Sequence, residues 1–144
     1  MRSSLPTPAA ALLAAALAVS CAQTPPQGDA GLVGPTWQLV SFKGGDGRVE
    51  MPVDRSQFQL VFNANGTVFA RLDCNRGNGT WKSSGPNRIE FGPMATTRAM
   101  CPPGWLQDHV PRQLSSIRSY VIRDGHLFLS LMADGGTFEF EPAR

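Results

Sequence analysis

An alternation of period two runs from residue 36 onward in short pieces, each closed by turn residues. Phe58, Leu60 and Phe62 fall on one side of such a piece, with Gln59, Val61 and Asn63 on the other. Side chains on a strand alternate between its faces, so this pattern predicts a strand with one buried face. Asn65-Gly66 follows at once and offers a tight hairpin turn into Thr67 through Leu72. The same grammar recurs along the chain. Trp37, Leu39 and Ser41 share a face of a first strand, and Ile89 to Phe91 form another, reached through Gly85-Pro86-Asn87 and paired with Gly79 to Lys82. Tyr120 and Ile122 share a face before a turn at Asp124-Gly125, after which Leu127, Leu129 and Leu131 alternate. Asp134-Gly135-Gly136 then leads to Phe138 and Phe140.

One stretch departs from this rule. Between Pro103 and Ile117, the residues Trp105, Val110, Leu114 and Ile117 recur at intervals near three and four, which predicts a helix. Pro111 falls inside it, so either two helical turns meet there or the main helix begins at Pro111, where a first-turn proline is tolerated. The fold class expected is α+β, mostly antiparallel β: a small sheet or partly closed barrel of about seven or eight strands with one helix packed on it.

A chain of 144 residues has room for one domain and a tail, and 42% apolar against 17% charged residues is too hydrophobic for a disordered chain. Lys and Arg number 13 against 11 Asp and Glu, interspersed without a block of one sign, which argues against a nucleic-acid partner.

The first twenty residues obey different rules. Arg2 is followed by an uninterrupted apolar run from Ala9 to Val19, too short for the roughly 20 residues of a spanning helix and typical of a signal-peptide core. Leu17-Ala18-Val19-Ser20-Cys21 resembles a bacterial lipobox, in which the Cys is lipidated and becomes the mature N-terminus; Leu17 lies one position further from the Cys than is usual. Ordinary cleavage after Ala22 is the other reading. Three cysteines in an exported chain leave one unpaired, and lipidation of Cys21 resolves that parity by leaving Cys74 and Cys101 as the natural disulfide pair. The division expected is therefore a signal peptide over 1–20, a lipidated N-terminus and Pro- and Gly-rich tether over 21–35, and a folded domain over 36–144. Ala22 lacks the Asp that commonly retains lipoproteins at the inner membrane, so the outer membrane is expected, with a soluble periplasmic protein as the alternative.

Several segments, in order, carry a family resemblance: Trp37-Gln38-Leu39, Leu60-Val61-Phe62 with Asn65-Gly66, Asp73-Cys74-Asn75 before Gly79-Thr80-Trp81, and Met94 through Cys101, reading Met-Ala-Thr-Thr-Arg-Ala-Met-Cys. Leu114 and Leu127-Phe128-Leu129 follow. Over about residues 36 to 141 the chain resembles the META domain family, the HslJ-like heat-shock lipoproteins. Two departures stand out: Asp73 occupies a place where Gly is common, and Pro102, Pro103 and Pro111 fall where the helix after the second Cys is normally Glu-rich. The resemblance implies an envelope protein of mixed α and β structure, often a lipoprotein, linked to stress or antibiotic tolerance and with no established reaction.

Cys74 and Cys101 could serve as nucleophile or metal ligands instead of a disulfide, but His109 and His126 lie at no familiar ligand spacing from them. Arg98 is a candidate grip for an anion or carboxylate, or else a structural Arg bonding turn carbonyls or Asp73. Asn75, Gly77, Asn78 and Gly79 read as a turn and lack the following Lys of a phosphate loop. Trp37 and Trp81 belong to a core, while Trp105 at the helix start is the exposed aromatic suited to a binding surface. Asp46, Glu50 and Asp54 contain no tight carboxylate pair, and solvation accounts for them. Candidate binding residues are thus Arg98, Asn75 and Trp105, with no catalytic set, metal or cofactor expected. The function expected is a non-enzymatic, stress-associated or antibiotic-tolerance-associated envelope lipoprotein that binds or stabilises an envelope protein or small molecule and meets the membrane through Cys21. An inhibitor or scavenger of a secreted enzyme or small hydrophobic compound is the alternative.

Overall fold

A computed structural model describes residues 31–144. The expected signal segment, Cys21 and most of the tether lie outside the described residues. Nine strands and one α-helix follow: β1 Thr36–Gly44, β2 Val49–Glu50, β3 Phe58–Phe62, β4 Thr67–Leu72, β5 Asn75–Gly85, β6 Arg88–Thr96, α1 Trp105–Gln113, β7 Ile117–Arg123, β8 His126–Leu131 and β9 Gly136–Pro142. Every strand pair is antiparallel, and β1 pairs with β3 on one side and β9 on the other. That second pairing closes β1 and β3 to β9 into an eight-strand barrel, with the two-residue β2 added outside on β1. The mostly-β fold with a single helix is as expected, and the barrel is closed where partial closure was expected.

Turn chemistry explains the order of the strands. The Asn65-Gly66 hairpin forms as a three-residue loop: Asn63 N–H donates to Thr67 O at 2.9 Å, Gly66 N–H donates to Asn63 O at 3.0 Å, and Gly66 takes the positive φ of 81°. At the β7–β8 turn, Asp124 and Gly125 both have positive φ, 52° and 77°, the backbone twist that joins two antiparallel strands without splaying them. Asp73 turns β4 into β5 with φ 59°, the conformation that Gly takes freely and Asp tolerates.

The interior is apolar, and the core contains no buried polar or charged residue among the described residues. Trp37, Phe62, Leu127, Leu129 and Phe138 are essentially inaccessible. Trp37 Nε1 donates to Leu32 O at 2.9 Å, and Leu32 is itself fully buried, so Leu32 packs with the core ahead of β1. A register shift between Leu39 and Ser41 turns Phe42 inward, and Phe42 takes the core position expected for Ser41. Tyr120 is buried, but Ile122, expected to share its face, is 37% exposed as β7 runs on towards its turn.

Two further expectations are corrected. Residues 75–79 are not a turn: they open β5, pairing in register with β4 from Leu72↔Asn75 to Val68↔Gly79. Their glycines serve close strand approach and not positive φ, since a Cβ on Gly77 would lie 2.6 Å from Met94 Sδ and one on Gly79 2.9 Å from Pro93 O. The helix runs continuously through Pro111 instead of starting there. The missing Pro111 N–H removes the bond to the Gln107 carbonyl, and the helix gives way two residues later to a 3₁₀ turn at Leu114–Ser116. Ile117 then opens β7 and is no part of the helix. Leu106, Val110 and Leu114 point into the barrel, so the helix covers one end of it.

Candidate functional site

The helix-covered end is reached through a rim that the sheet does not hold. β6 and β7 share one register pair, Arg88↔Ser119, and the Met94–Cys101 motif runs from the end of β6 into the chain between them, which also carries α1. Cys74 and Cys101 are joined as a disulfide with their Cα atoms 5.6 Å apart, within the bridging range. The bond ties the β4–β5 turn to the segment leading into α1 and consumes both sulfurs. Beside it, the Asn75 side chain grips the rim. Its Oδ1 accepts from Ala99 N at 2.7 Å and Thr97 Oγ1 at 2.8 Å, while its Nδ2 donates to Ala99 O at 3.1 Å and Cys101 Sγ at 3.2 Å. Thr97 and Arg76 add a reciprocal pair, with Thr97 N donating to Arg76 O and Arg76 N to Thr97 Oγ1, both at 2.9 Å. One amide thus gives Ala99 both of the bonds a neighbouring strand would give.

The side chains flanking Ala99 are left in solvent. Met100 is fully exposed. Arg98 is also exposed and makes no hydrogen bond or ion pair with a described residue, so the expected contact with Asp73 or turn carbonyls does not form.

Trp105, the first residue of α1, is half-buried. His109 lies one turn on and stacks against it, centroids 4.0 Å apart and planes 19° apart, and Phe42 touches both rings. The Arg48 guanidinium stands 5.6 Å from the Trp105 ring centre, a cation–π distance. Desolvation is the main reason that the His109 pKa falls below 6.5, with the Arg112 and Arg48 charges acting in the same sense. The neutral imidazole is thereby favoured, and its Nε2 is buried without a hydrogen-bond partner among the described residues.

Trp105 divides two clefts. On one side, a groove of about 360 Å³ runs between Met51, Pro52 and Val53 and the Pro103–Trp105 segment, with buried Phe58 beneath. On the other, a cleft of about 450 Å³ lies between Phe42, Arg48, His109 and Asp134. Met51 is 68% exposed and Val53 wholly so, which leaves an apolar surface around the groove.

Cys74, Cys101, Asn75 and Arg98 therefore converge on one rim, with Trp105 a few residues beyond; Asn75 builds the rim, whereas Arg98 and Trp105 present groups to solvent. Met51 and Val53 were not among the sequence candidates. Their signal was three consecutive apolar residues, Met51-Pro52-Val53, between the acidic Glu50 and Asp54. Two of the carboxylates assigned to solvation have local work: Asp46 Oδ1 accepts from Arg48 N at 3.0 Å and Asp54 Oδ1 from Ser56 N at 2.8 Å. Among the described residues no three His, Cys, Asp or Glu side chains gather as metal ligands, and no helix is long and apolar enough to cross a membrane.

The META domain family model matches residues 30–144. No curated protein matches the chain. Among solved structures, a protein from Burkholderia xenovorans determined by NMR is similar with TM-score 0.64 and 21% identity, over 92% of this chain and 99% of that one. A DUF4847 family protein from Bacteroides vulgatus ATCC 8482, a crystal structure, is similar with TM-score 0.55 and 17% identity, over 76% of this chain and 93% of that one. At these identities the likeness is one of fold.

Proposed function

The chain belongs to the META domain family, and on that premise we propose that it is a non-enzymatic envelope lipoprotein that binds a partner protein at the helix-covered end of its barrel. The observation that carries this reading is the groove beside Trp105, whose apolar walls are held open to solvent at the rim bearing the family's most specific residues. Its position supports the same reading. The chain enters the barrel where Val33 bridges to Phe62, whereas the groove lies by Phe58 and Asp73, at the other end of the β3–β4 hairpin. A domain tethered through Cys21 would thus turn its groove away from the membrane, towards the periplasm.

Site-specific photocrosslinking in cells tests the proposal. A crosslinker at Met51 or Val53 should give discrete adducts that one at Val121, exposed on β7, does not. Equal labelling at all three positions would refute it. Lipidation has its own readout, a diacylglyceryl mass on the Cys21 peptide; a mature chain starting at Gln23 would instead make the protein soluble in the periplasm. The second reading, a scavenger of small hydrophobic compounds, draws on the groove's volume, which lies at the small end of ligand pockets at roughly 300 to 1,000 Å³. Adducts at Met51 to small molecules alone would favour it.

A further inference from the structure

The charged groups of the groove beside Trp105 are all of one sign. Its lining contains the carboxylates of Glu50 and Asp73 and the carboxamides of Gln57 and Gln107, and it contains no Lys, Arg or His. Neither Glu50 nor Asp73 forms an ion pair with a described residue. Arg71 comes near, but its Nε donates to the Asp73 main-chain oxygen at 3.4 Å and not to the carboxylate. Gln107 Oε1 is buried without a hydrogen-bond partner among the described residues. Arg48 belongs to the cleft on the far side of Trp105, over whose ring it lies. The groove therefore combines apolar walls with uncompensated negative charge at its edges, a pattern that attracts a cation carried on an apolar body and repels an anion.

Resting on the reading of this groove as a partner site, we infer that its occupant is a segment of a partner protein in which a Lys or Arg adjoins an aliphatic or aromatic anchor. The anchor packs between Met51 and Trp105 while the cation reaches Glu50 and Asp73. A protein segment fits better than a small amphiphile because apolar exposure extends past the groove itself, to Met100 beyond Cys101, and Val53 at its edge is wholly exposed. A ligand filling about 360 Å³ would leave that surface uncovered.

The test uses the processed chain, labelled with nitrogen-15, and three blocked tetrapeptides, acetyl-Leu-Phe-X-Leu-amide with X as Lys, Ser or Glu. Shifts of the Trp105 indole and of the amides around Val53 and Gln107 report groove binding. The Lys peptide should bind roughly fivefold or more tighter than the Ser peptide at low salt, the Glu peptide should bind weakest, and added salt should compress the series. Glu50→Gln with Asp73→Asn should bring the three affinities together without abolishing binding, since Asn also tolerates the positive φ at 73. Equal binding of all three peptides to the parent chain, or preference for Glu, would overturn the cation assignment while leaving the groove as an apolar site. Octylammonium binding tighter than the Lys peptide would overturn the protein-segment assignment. No groove shifts with any of the three would overturn the partner site itself.

Discussion

The β3–β4 hairpin spans the barrel from the end that carries the Thr97–Gly104 rim to the opposite one, and the two are held by different physics. The hairpin is a continuous ladder from Phe58↔Leu72 to Phe62↔Val68, with its inward side chains buried to the last atom or nearly so. Its order follows from many small, repeated terms: backbone hydrogen bonds and apolar area. The rim has no ladder. Its order depends on one disulfide, one asparagine, one reciprocal Thr97–Arg76 pair and one aromatic stack. A wall built by repetition displays its pattern in the sequence and carries no particular chemistry outward. A rim built from single contacts can hold Arg98 and Met100 in solvent and still be fixed.

The largest effect should come from the wall. Phe62 is 1% exposed and packs edge-on against Trp81 and Phe91, with centroids 5.4 and 5.7 Å away. Phe62→Ala should cost about 3 to 5 kcal/mol, because it removes the side chain's burial and leaves a cavity that the closed barrel cannot collapse to fill. Chemical denaturation should show the loss as a lower midpoint with an unchanged slope. A cost below about 1 kcal/mol would mean that the barrel interior repacks freely, and the contrast with the rim would fail.

Removing the disulfide comes next. Cys74 and Cys101 are 27 positions apart, and replacing both with Ala should cost about 3 to 4 kcal/mol on the chain-entropy account. The two losses should differ in where they are felt. Hydrogen exchange in the double variant should show the rim amides near 97–104 losing protection ahead of the β3–β4 amides, whereas Phe62→Ala should lower both together. Uniform loss in the double variant would place the rim within the same cooperative unit as the wall.

This contrast also explains what could be read in advance. The inward faces of β3, β8 and β9 were legible because period two is enforced at every residue of a half-buried strand. The helix boundary failed at Ile117, whose spacing matches a helical stripe although the chain has already turned into β7. Gly77 and Gly79 misled for a related reason: glycine marks both positive φ and close approach, and only the neighbour, Met94, decides between them. The disulfide followed from parity. The four bonds of Asn75 could not be read, since they need a loop more than twenty residues away to fold back over β5, and the groove needs Met51 and Trp105 brought together from either side of the β3 to β6 segment. Asp73 is a milder case, its place in the turn explained by the positive φ that a Gly would accept without strain.

Asn75 gives a sharper, smaller test. Asn75→Ala removes two donated and two accepted bonds, partly replaceable by water at this half-buried site, and should cost about 1 to 2 kcal/mol. Asn75→Asp retains the bonds accepted from Ala99 and Thr97 and loses those donated to Ala99 O and Cys101 Sγ, so its cost should fall between Ala and the parent. Nuclear relaxation should show greater motion at Arg98 and Met100 in the Ala variant with β3 unchanged. Loss of order in both regions would show that the clamp supports the barrel and not only its rim.

The smallest expected effect is electrostatic and belongs to the stack beneath the rim. Folding lowers the His109 pKa from 6.5, chiefly by desolvation, so the unfolded chain binds the proton more readily than the folded one. Where the unfolded state holds more protons, stability rises with pH. The contribution is therefore intact above the unfolded value, declines as pH falls through 6.5 towards the folded value, and levels off below it. The lowered carboxyl pKa values act elsewhere. Glu141 is held below 4.5 mainly by the Arg55 hydrogen bond and Asp54 below 3.8 by Ser56, so their contributions are lost only in more acidic solution. His109→Phe keeps an aromatic ring against Trp105 and removes the titration. Between about pH 7.5 and pH 5.5, the parent should lose more stability than this variant, with a difference in slope below the limit of about 1.4 kcal/mol per pH unit for one proton. Identical slopes would mean that the imidazole is as well solvated as in the unfolded chain. A steeper slope in the variant would reverse the sign, requiring a partner that favours the charged ring and making the stack under Trp105 a polar contact instead of an apolar support.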